Sequence, residues 1–270
     1  MRRFVLLTLI LLGLLGRMAL ASPPKQSNRV AIIAPFLDRQ HRDDWESTLQ
    51  LARLEFVVFL YQDAAVVYSE ADFVNTGTET MRTELGLPSA GFIAGAGSSE
   101  QDISRGILGV RLWVAGERFE PEIRRDGDVE WFTITPVFKP QVQTRVKSLF
   151  WVETTVGNDP ADRAVGILLS HAAIWKDVIN SVDVTVVLKE GLTVADSLFE
   201  ADPDNYSVED SVLTWSFWNI DPTANEDISI LYSSHRNQAL DSIARESLSR
   251  FIIEQAYDEM LEYVREIEED

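Results

Sequence analysis

The chain has no cysteine and only three histidines among its 270 residues. Without cysteine there can be no disulfide, no thiolate metal site and no cysteine nucleophile. His41, His171 and His235 are far apart, and no H-E-x-x-H or other transition-metal spacing surrounds them. The Gly-x-Ser-x-Gly elbow of many hydrolases is missing. Gly95-Ala96-Gly97 lacks the third glycine and the strand–turn–helix setting of a dinucleotide fingerprint. Basic side chains are scarce, with 24 Lys and Arg against 43 Asp and Glu and a formal net charge of −19. Nucleic acid and anionic membranes reward clustered Lys and Arg, so neither is expected as a partner.

What is present begins with an export pattern. Arg2 and Arg3 precede an apolar run from Phe4 to Leu15, and Ala19-Leu20-Ala21 presents small residues in the spacing that signal peptidase cuts. The pattern predicts a signal peptide over residues 1–21, cleaved between Ala21 and Ser22. The run is shorter than the roughly 20 apolar residues that span a bilayer, so no transmembrane segment is expected in the mature chain. No cysteine follows the cut to accept a lipid. Export without cysteine points to the periplasm or the exterior of a bacterium.

Residues 22–29 read as a flexible lead-in. From Val30 to Tyr232 short apolar and β-branched runs alternate with turn signals. Val182 to Leu188 is the clearest strand. Ala65 to Val74 alternates, and Asn75-Thr76-Gly77 closes it, with Thr78 to Leu85 expected to return as its hairpin partner. Residues 41–52 are ambiguous, because Trp45, Leu49 and Ala52 recur at helical spacing beside a β-rich run. These signals predict an all-β fold of two closely packed antiparallel β-sandwich units, over 30–140 and 141–235. Leu240, Ile243, Leu248, Phe251, Ile252, Leu261, Val264 and Ile267 then follow helical spacing. They predict a C-terminal amphipathic helix over 236–270, its apolar stripe laid on one face or edge of the protein's own sheet in preference to the alternative of docking a partner.

Candidate sites are few. Seven tryptophans invite a carbohydrate-stacking reading. The parity of Leu213, Trp215 and Phe217 puts Trp215 in the core and leaves Trp218 on the other face. Trp218 and Trp113 are therefore the candidate ligand contacts. Asp202 and Asp204, in Asp202-Pro203-Asp204-Asn205, are the best calcium candidates, although Ser207 and Leu213 stand where an EF-hand loop has glycine and glutamate. No carboxylate pair can be singled out among 43 acidic residues. Residues 88–105 are the most loop-like stretch.

Three segments together resemble an uncharacterised family of secreted bacterial β-sandwich proteins, a domain of unknown function. They are Phe73-Val74-Asn75-Thr76-Gly77 with Leu85-Gly86-Leu87-Pro88, Ile174-Trp175-Lys176-Asp177-Val178-Ile179, and Trp215-Ser216-Phe217-Trp218-Asn219-Ile220-Asp221-Pro222. In the second, Asp177 stands where the family has glycine. The first also resembles the vault/inter-α-trypsin type β domain, an interaction module, over residues 65–88 alone. The family resemblance implies an exported β-sandwich and transfers no catalytic residue. The expected function is a non-enzymatic binding or structural module of the bacterial cell envelope that contacts a protein and needs no cofactor. A carbohydrate-binding module using exposed tryptophan is the alternative, and a hydrolase with a carboxylate pair comes third.

Overall fold

Residues at every second position of a strand share a face, so a run apolar at both parities marks a strand covered on both sides. Phe56 to Leu60 is such a run, and it lies in a central strand of the largest sheet. A computed structural model describes residues 28–31, 33–36, 48–88, 107–127, 129–156, 161–175, 177–221, 225–233 and 242–269. Residues 1–27, His41, Trp45, Gly95, Gly97 and His235 lie outside the described residues, and with them the expected signal peptide, its cut at Ala21 and Ser22, and most of the 88–105 stretch.

In chain order the strands are β1 (Asn28–Ala31), β2 (Ala34–Pro35), β3 (Leu49–Leu60), β4 (Ala64–Asn75), β5 (Met81–Arg82), β6 (Leu85–Pro88) and β7 (Leu108–Val114). They continue with β8 (Glu117–Phe119), β9 (Glu122–Asp126), β10 (Val129–Ile134), β11 (Val137–Phe138), β12 (Gln143–Glu153) and β13 (Thr155–Val156). The last are β14 (Asp162–Leu168), β15 (Ile179–Leu188), β16 (Leu198–Asp202), β17 (Ser207–Glu209), β18 (Val212–Ile220) and β19 (Ile228–Ser233). A short helix α1 (Val194–Ser197) and a long one α2 (Ser242–Glu269) complete the set, with a 3-10 turn at Leu169–Ile174.

Eight strands make the large sheet, in the order β17-β18-β15-β3-β4-β12-β7-β8. A five-stranded sheet (β1-β14-β19-β16, with β13 on β14) supplies an opposing layer. Two smaller sheets, β2-β6-β10-β9 and β11-β5, complete the β-structure. The all-β fold with a C-terminal helix is therefore what the chain adopts. Its strands pair across the expected division at residue 140. β4 pairs with β12, and β3 runs parallel to β15, so residues 49–75, 143–153 and 179–188 share one sheet. β1 and β14 are also parallel. Parallel neighbours need a long crossover, and the chain between β3 and β15 supplies one.

The inner face of the large sheet holds the main core. Leu54, Phe56 and Val58 of β3, Val184 and Val186 of β15 and Trp215 of β18 are all essentially inaccessible there. Val165 and Ile167 of β14 and Ile228, Ile230 and Tyr232 of β19 belong to the same cluster. Each such side chain contributes about 1.5–3 kcal/mol by leaving water. Two buried polar tips find partners: Tyr232 Oη donates to the Tyr61 carbonyl at 2.9 Å, and Trp215 Nε1 to the Pro203 carbonyl at 2.8 Å.

The ambiguous stretch before β3 has a physical explanation. The register of β3 against β4 shifts between Leu51 and Arg53, so Ala52 is an extra residue in the strand. Leu49 and Leu51 point into the core before the bulge, and Leu54 and Phe56 after it. Ala52, three residues after Leu49, is thus the bulge residue and no part of a helical stripe; Trp45 lies outside the described residues, and the chain is strand from Leu49 to Leu60. The expected return of Thr78–Leu85 on β4 does not occur, because β3 and β12 occupy both edges of β4. Asn75 instead turns the chain away, its amide donating to the Glu79 and Phe138 carbonyls at 2.7 and 3.0 Å. β5 then pairs with β11, and β6 with β10.

Helix α2 lies on the outer face of the large sheet, as its stripe predicts. Ala256, Tyr257, Met260 and Val264 pack on Val57, Phe59, Val66, Tyr68 and Leu149. Glu254 pairs with Arg111 at 2.9 Å, and Glu259 with Lys189 at 2.6 Å. Tyr257 Oη donates to the Gly109 carbonyl at 3.1 Å. Gly109 has φ of +64°, and a Cβ there would sit 2.7 Å from that hydroxyl, so glycine is required on both counts.

Trp215→Ala removes the largest inner side chain and leaves the Pro203 carbonyl unpaired. The expected cost is about 3–5 kcal/mol in urea unfolding. A loss below about 1 kcal/mol would contradict this placement of the core.

Candidate functional site

Register arranges the outer face of the large sheet into ranks that cross six strands. Val212, Val187, Phe59, Val66 and Trp151 form one rank, from β18 across to β12. Thr214, Thr185, Val57, Tyr68, Leu149 and Arg111 form the next. Helix α2 covers the apolar part of these two ranks. Chemistry then changes abruptly. The third rank is Ser216, Asp183, Glu55, Glu70, Lys147 and Trp113, and the fourth is Trp218, Ser181, Arg53, Asp72 and Arg145. The bulge at Ala52 is what brings Arg53 onto this face beside Glu55.

Ion pairs knit the two charged ranks together. Arg145 Nε lies 2.7 Å from Glu70 Oε1 and 3.0 Å from Asp72 Oδ1, and its Nη2 lies 3.3 Å from Asp72 Oδ2. Lys147 Nζ is 3.2 Å from Glu70 Oε2, which also accepts from Tyr68 Oη at 3.0 Å. Arg53 Nη2 meets Glu55 Oε2 at 2.6 Å, and Ser216 Oγ donates to Asp183 Oδ1 at 2.8 Å. The Glu70 and Asp72 side chains are only 6% and 3% exposed, which is deep for carboxylates on an outer sheet face. Buried pairs of this kind add little net stability, because desolvation offsets their attraction.

Between this network and the end of α2 lies a cleft of about 500 Å3. Arg53, Glu55, Glu70 and Arg145 form its charged floor and Tyr68, Val264 and Ile267 its apolar side. Burial raises the Glu55 carboxyl above its usual pKa; Arg53 opposes that rise, Glu70 and Asp183 add to it, and Arg145 weakly opposes it. Burial likewise raises the Tyr68 phenol. A cleft holding a perturbed titratable group is where a binding or reactive site is sought first.

The candidates named from sequence lie elsewhere or at the margins. Trp215 is fully buried and Trp218 is 69% exposed, as parity requires. Trp113 is half-buried and packs against the cluster under α2. The strands that carry these two, β7 and β18, stand five strand spacings apart, about 24 Å, so Trp113 and Trp218 do not line one groove. Asp202 and Asp204 are exposed on either side of Pro203, whose carbonyl turns inward to Trp215. His171 lies in the 3-10 turn. Among the described residues no group of three or more His, Asp or Glu side chains is arranged to hold a metal ion.

Sequence reading passed over Glu55, Glu70, Asp72, Arg145, Lys147 and Asp183. Their signal is charge at every second position of otherwise apolar strands, as in Tyr68-Ser69-Glu70-Ala71-Asp72-Phe73 and Arg145-Val146-Lys147. Only strand pairing reveals that these positions are neighbours.

No protein-family model and no curated protein matches the chain. Its fold is similar to that of a proposed nutrient-binding protein of Legionella pneumophila, with a TM-score of 0.59 at 10% identity over 78% of this chain and 73% of that one. Weaker likenesses reach an M1 zinc metallopeptidase of Deinococcus radiodurans (TM-score 0.37, 10% identity, 69% of this chain and 42% of that one) and aminopeptidase A of Legionella pneumophila (0.36, 6%, 74% and 22%). At these identities the likeness is one of fold alone.

The raised Glu55 pKa has a definite sign in stability. The folded chain holds that proton more tightly than the unfolded one, so the contribution favours folding below the ordinary value of 4.5 and is lost as pH rises through the raised one. Glu55→Gln should therefore gain on the parent in thermal melts as pH rises above 4.5, the gain levelling off once the parent carboxyl is ionised. A parent that gains on the variant over that range would contradict the assignment.

Proposed function

We propose that the chain is an exported, non-enzymatic binding module of the periplasm or cell exterior, and that its ligand is a small solute held in the outer-face cleft. The cleft carries this reading. It combines a bounded volume, an apolar side and charged groups already desolvated and oriented by their own ion pairs. Pre-arranged polar groups lower the cost of fixing a ligand. The pattern of residues 1–21 supports export, as does the resemblance to a family of secreted β-sandwich proteins. The nutrient-binding role proposed for the Legionella protein of similar fold is in keeping with a small ligand.

A second reading has its own observation. Trp218 stands 69% exposed at the end of the fourth rank, where a flat indole can stack on a sugar or anchor an envelope protein.

Thermal melts against a panel of metabolites and cell-wall polysaccharides separate the two, because a ligand of the native state raises the melting temperature by mass action. A ligand at about 100 times its Kd adds about 2.7 kcal/mol. The expected result is a shift with a small solute that Ile267→Trp, which fills the cleft, weakens and Trp218→Ala leaves intact. A polysaccharide shift lost in Trp218→Ala would favour the second reading.

A further inference from the structure

The charges around the cleft are unequal in a way that selects among small ligands. Asp183, Glu55 and Glu70 are direct register neighbours on β15, β3 and β4, three carboxylates side by side. Like charges directly opposite one another on a sheet are destabilising unless something compensates. Glu70 is compensated by Arg145, Lys147 and the Tyr68 hydroxyl, and Asp72 by Arg145. Asp183 accepts a hydrogen bond from a neutral hydroxyl, that of Ser216. Glu55 is met by Arg53, whose side chain reaches in from a more exposed position than that of Glu55 itself. Four carboxylates thus meet three cations, and the shortfall falls on the Asp183–Glu55 side.

Two further features point the same way. Val264 and Ile267, which border the cleft, belong to the final turns of α2, and the carboxyl end of a helix carries partial negative charge. Between them the exposed Arg265 and Glu266 balance one another, leaving the helix end itself as the negative contribution. Beside this negative field the cleft offers carbon: Val264, Ile267, 43% exposed, and the Tyr68 ring. A bare metal ion would use only the first feature, and the described residues hold no metal-binding cluster. An anion would have to compete for Arg53 with Glu55 and for Arg145 with Glu70 and Asp72, and would add to the excess of negative charge.

We infer that the ligand is a small organic cation, a primary amine or guanidinium on a short apolar chain, with its charge against Glu55 and its carbons along Val264, Ile267 and Tyr68. This rests on the cleft being the ligand site. The ammonium or guanidinium donates to the Glu55 carboxylate beside Arg53 and supplies the fourth positive charge that the four carboxylates lack, while the apolar chain covers Ile267.

The test is an amide-shift titration of the isotope-labelled protein with matched probes: hexylamine, hexanol and hexanoate, then phenethylamine, 2-phenylethanol and phenylacetate. The expected result is that the amines alone shift amides of β3, β4 and residues 264–267. Glu55→Gln should weaken the amines about tenfold or more, a change of about 1.4 kcal/mol, and Asp183→Asn by less. Both variants keep side-chain shape, and their unperturbed spectra would show that they fold. Hexanol or hexanoate shifting the same amides as strongly as hexylamine would overturn the cationic class while leaving the cleft as the site. Cleft amides that stay unmoved with every probe and every member of the metabolite panel would overturn both. Amine binding unchanged in Glu55→Gln would also overturn the inference.

Discussion

Side-chain alternation along β3 and β4 is the constraint on which the other features depend. These two strands form the middle of the eight-stranded sheet and serve three environments at once. Their inner positions, Leu54, Phe56, Val58, Val67 and Phe73, build the core against the five-stranded sheet. Their outer positions near one end, Val57, Phe59, Val66 and Tyr68, receive helix α2. Their outer positions toward the other end, Arg53, Glu55, Glu70 and Asp72, make the charged floor. A slip of one residue would drive Phe56 outward and Glu55 into the core, so the register is strongly specified. The bulge at Ala52 is a deliberate exception, since it lets Leu51 and Leu54 both face inward while Arg53 faces the cleft.

The charged network is better explained by what it holds in place than by stability. Glu70 and Asp72 are almost wholly removed from water, and their ion pairs return little beyond the cost of that removal. Apolar residues at the same positions would let α2 cover more of the face at no such cost. The sheet instead keeps seven ionisable groups oriented at the edge of the helix. Such an arrangement is suited to meeting a charged group that arrives from outside, and it fits a binding module more readily than a purely structural one.

Much of the fold was legible because alternation and turn residues are local. The strands at Ala65–Val74, Val182–Leu188 and Val212–Trp218, the opposed fates of Trp215 and Trp218, and the C-terminal helix itself follow from parity and period, whereas only its contacts show that the helix lies on its own sheet. Pairing partners were not legible, because they depend on which edge is free. Thr78–Leu85 looks like the return of β4 until β3 and β12 are seen to occupy both its edges. The parallel pairing of β3 with β15 across more than a hundred residues of chain leaves no local trace. For the same reason the cleft was hidden. Asp183, Glu55, Glu70 and Lys147 are adjacent in space through three separate ladders, and in an acidic chain none stands out alone.

One sheet that joins residues 49–75, 143–153, 179–188 and 212–220 should open as one unit. Native-state hydrogen exchange tests this directly, since amides that share a cooperative unit share an opening free energy. The account predicts that the central amides of β3, β4, β12 and β15 exchange together, at the highest opening free energy of the molecule. Amides of β15 and β18 that open separately, well below those of β3 and β4, would contradict a continuous sheet and the two faces built on it.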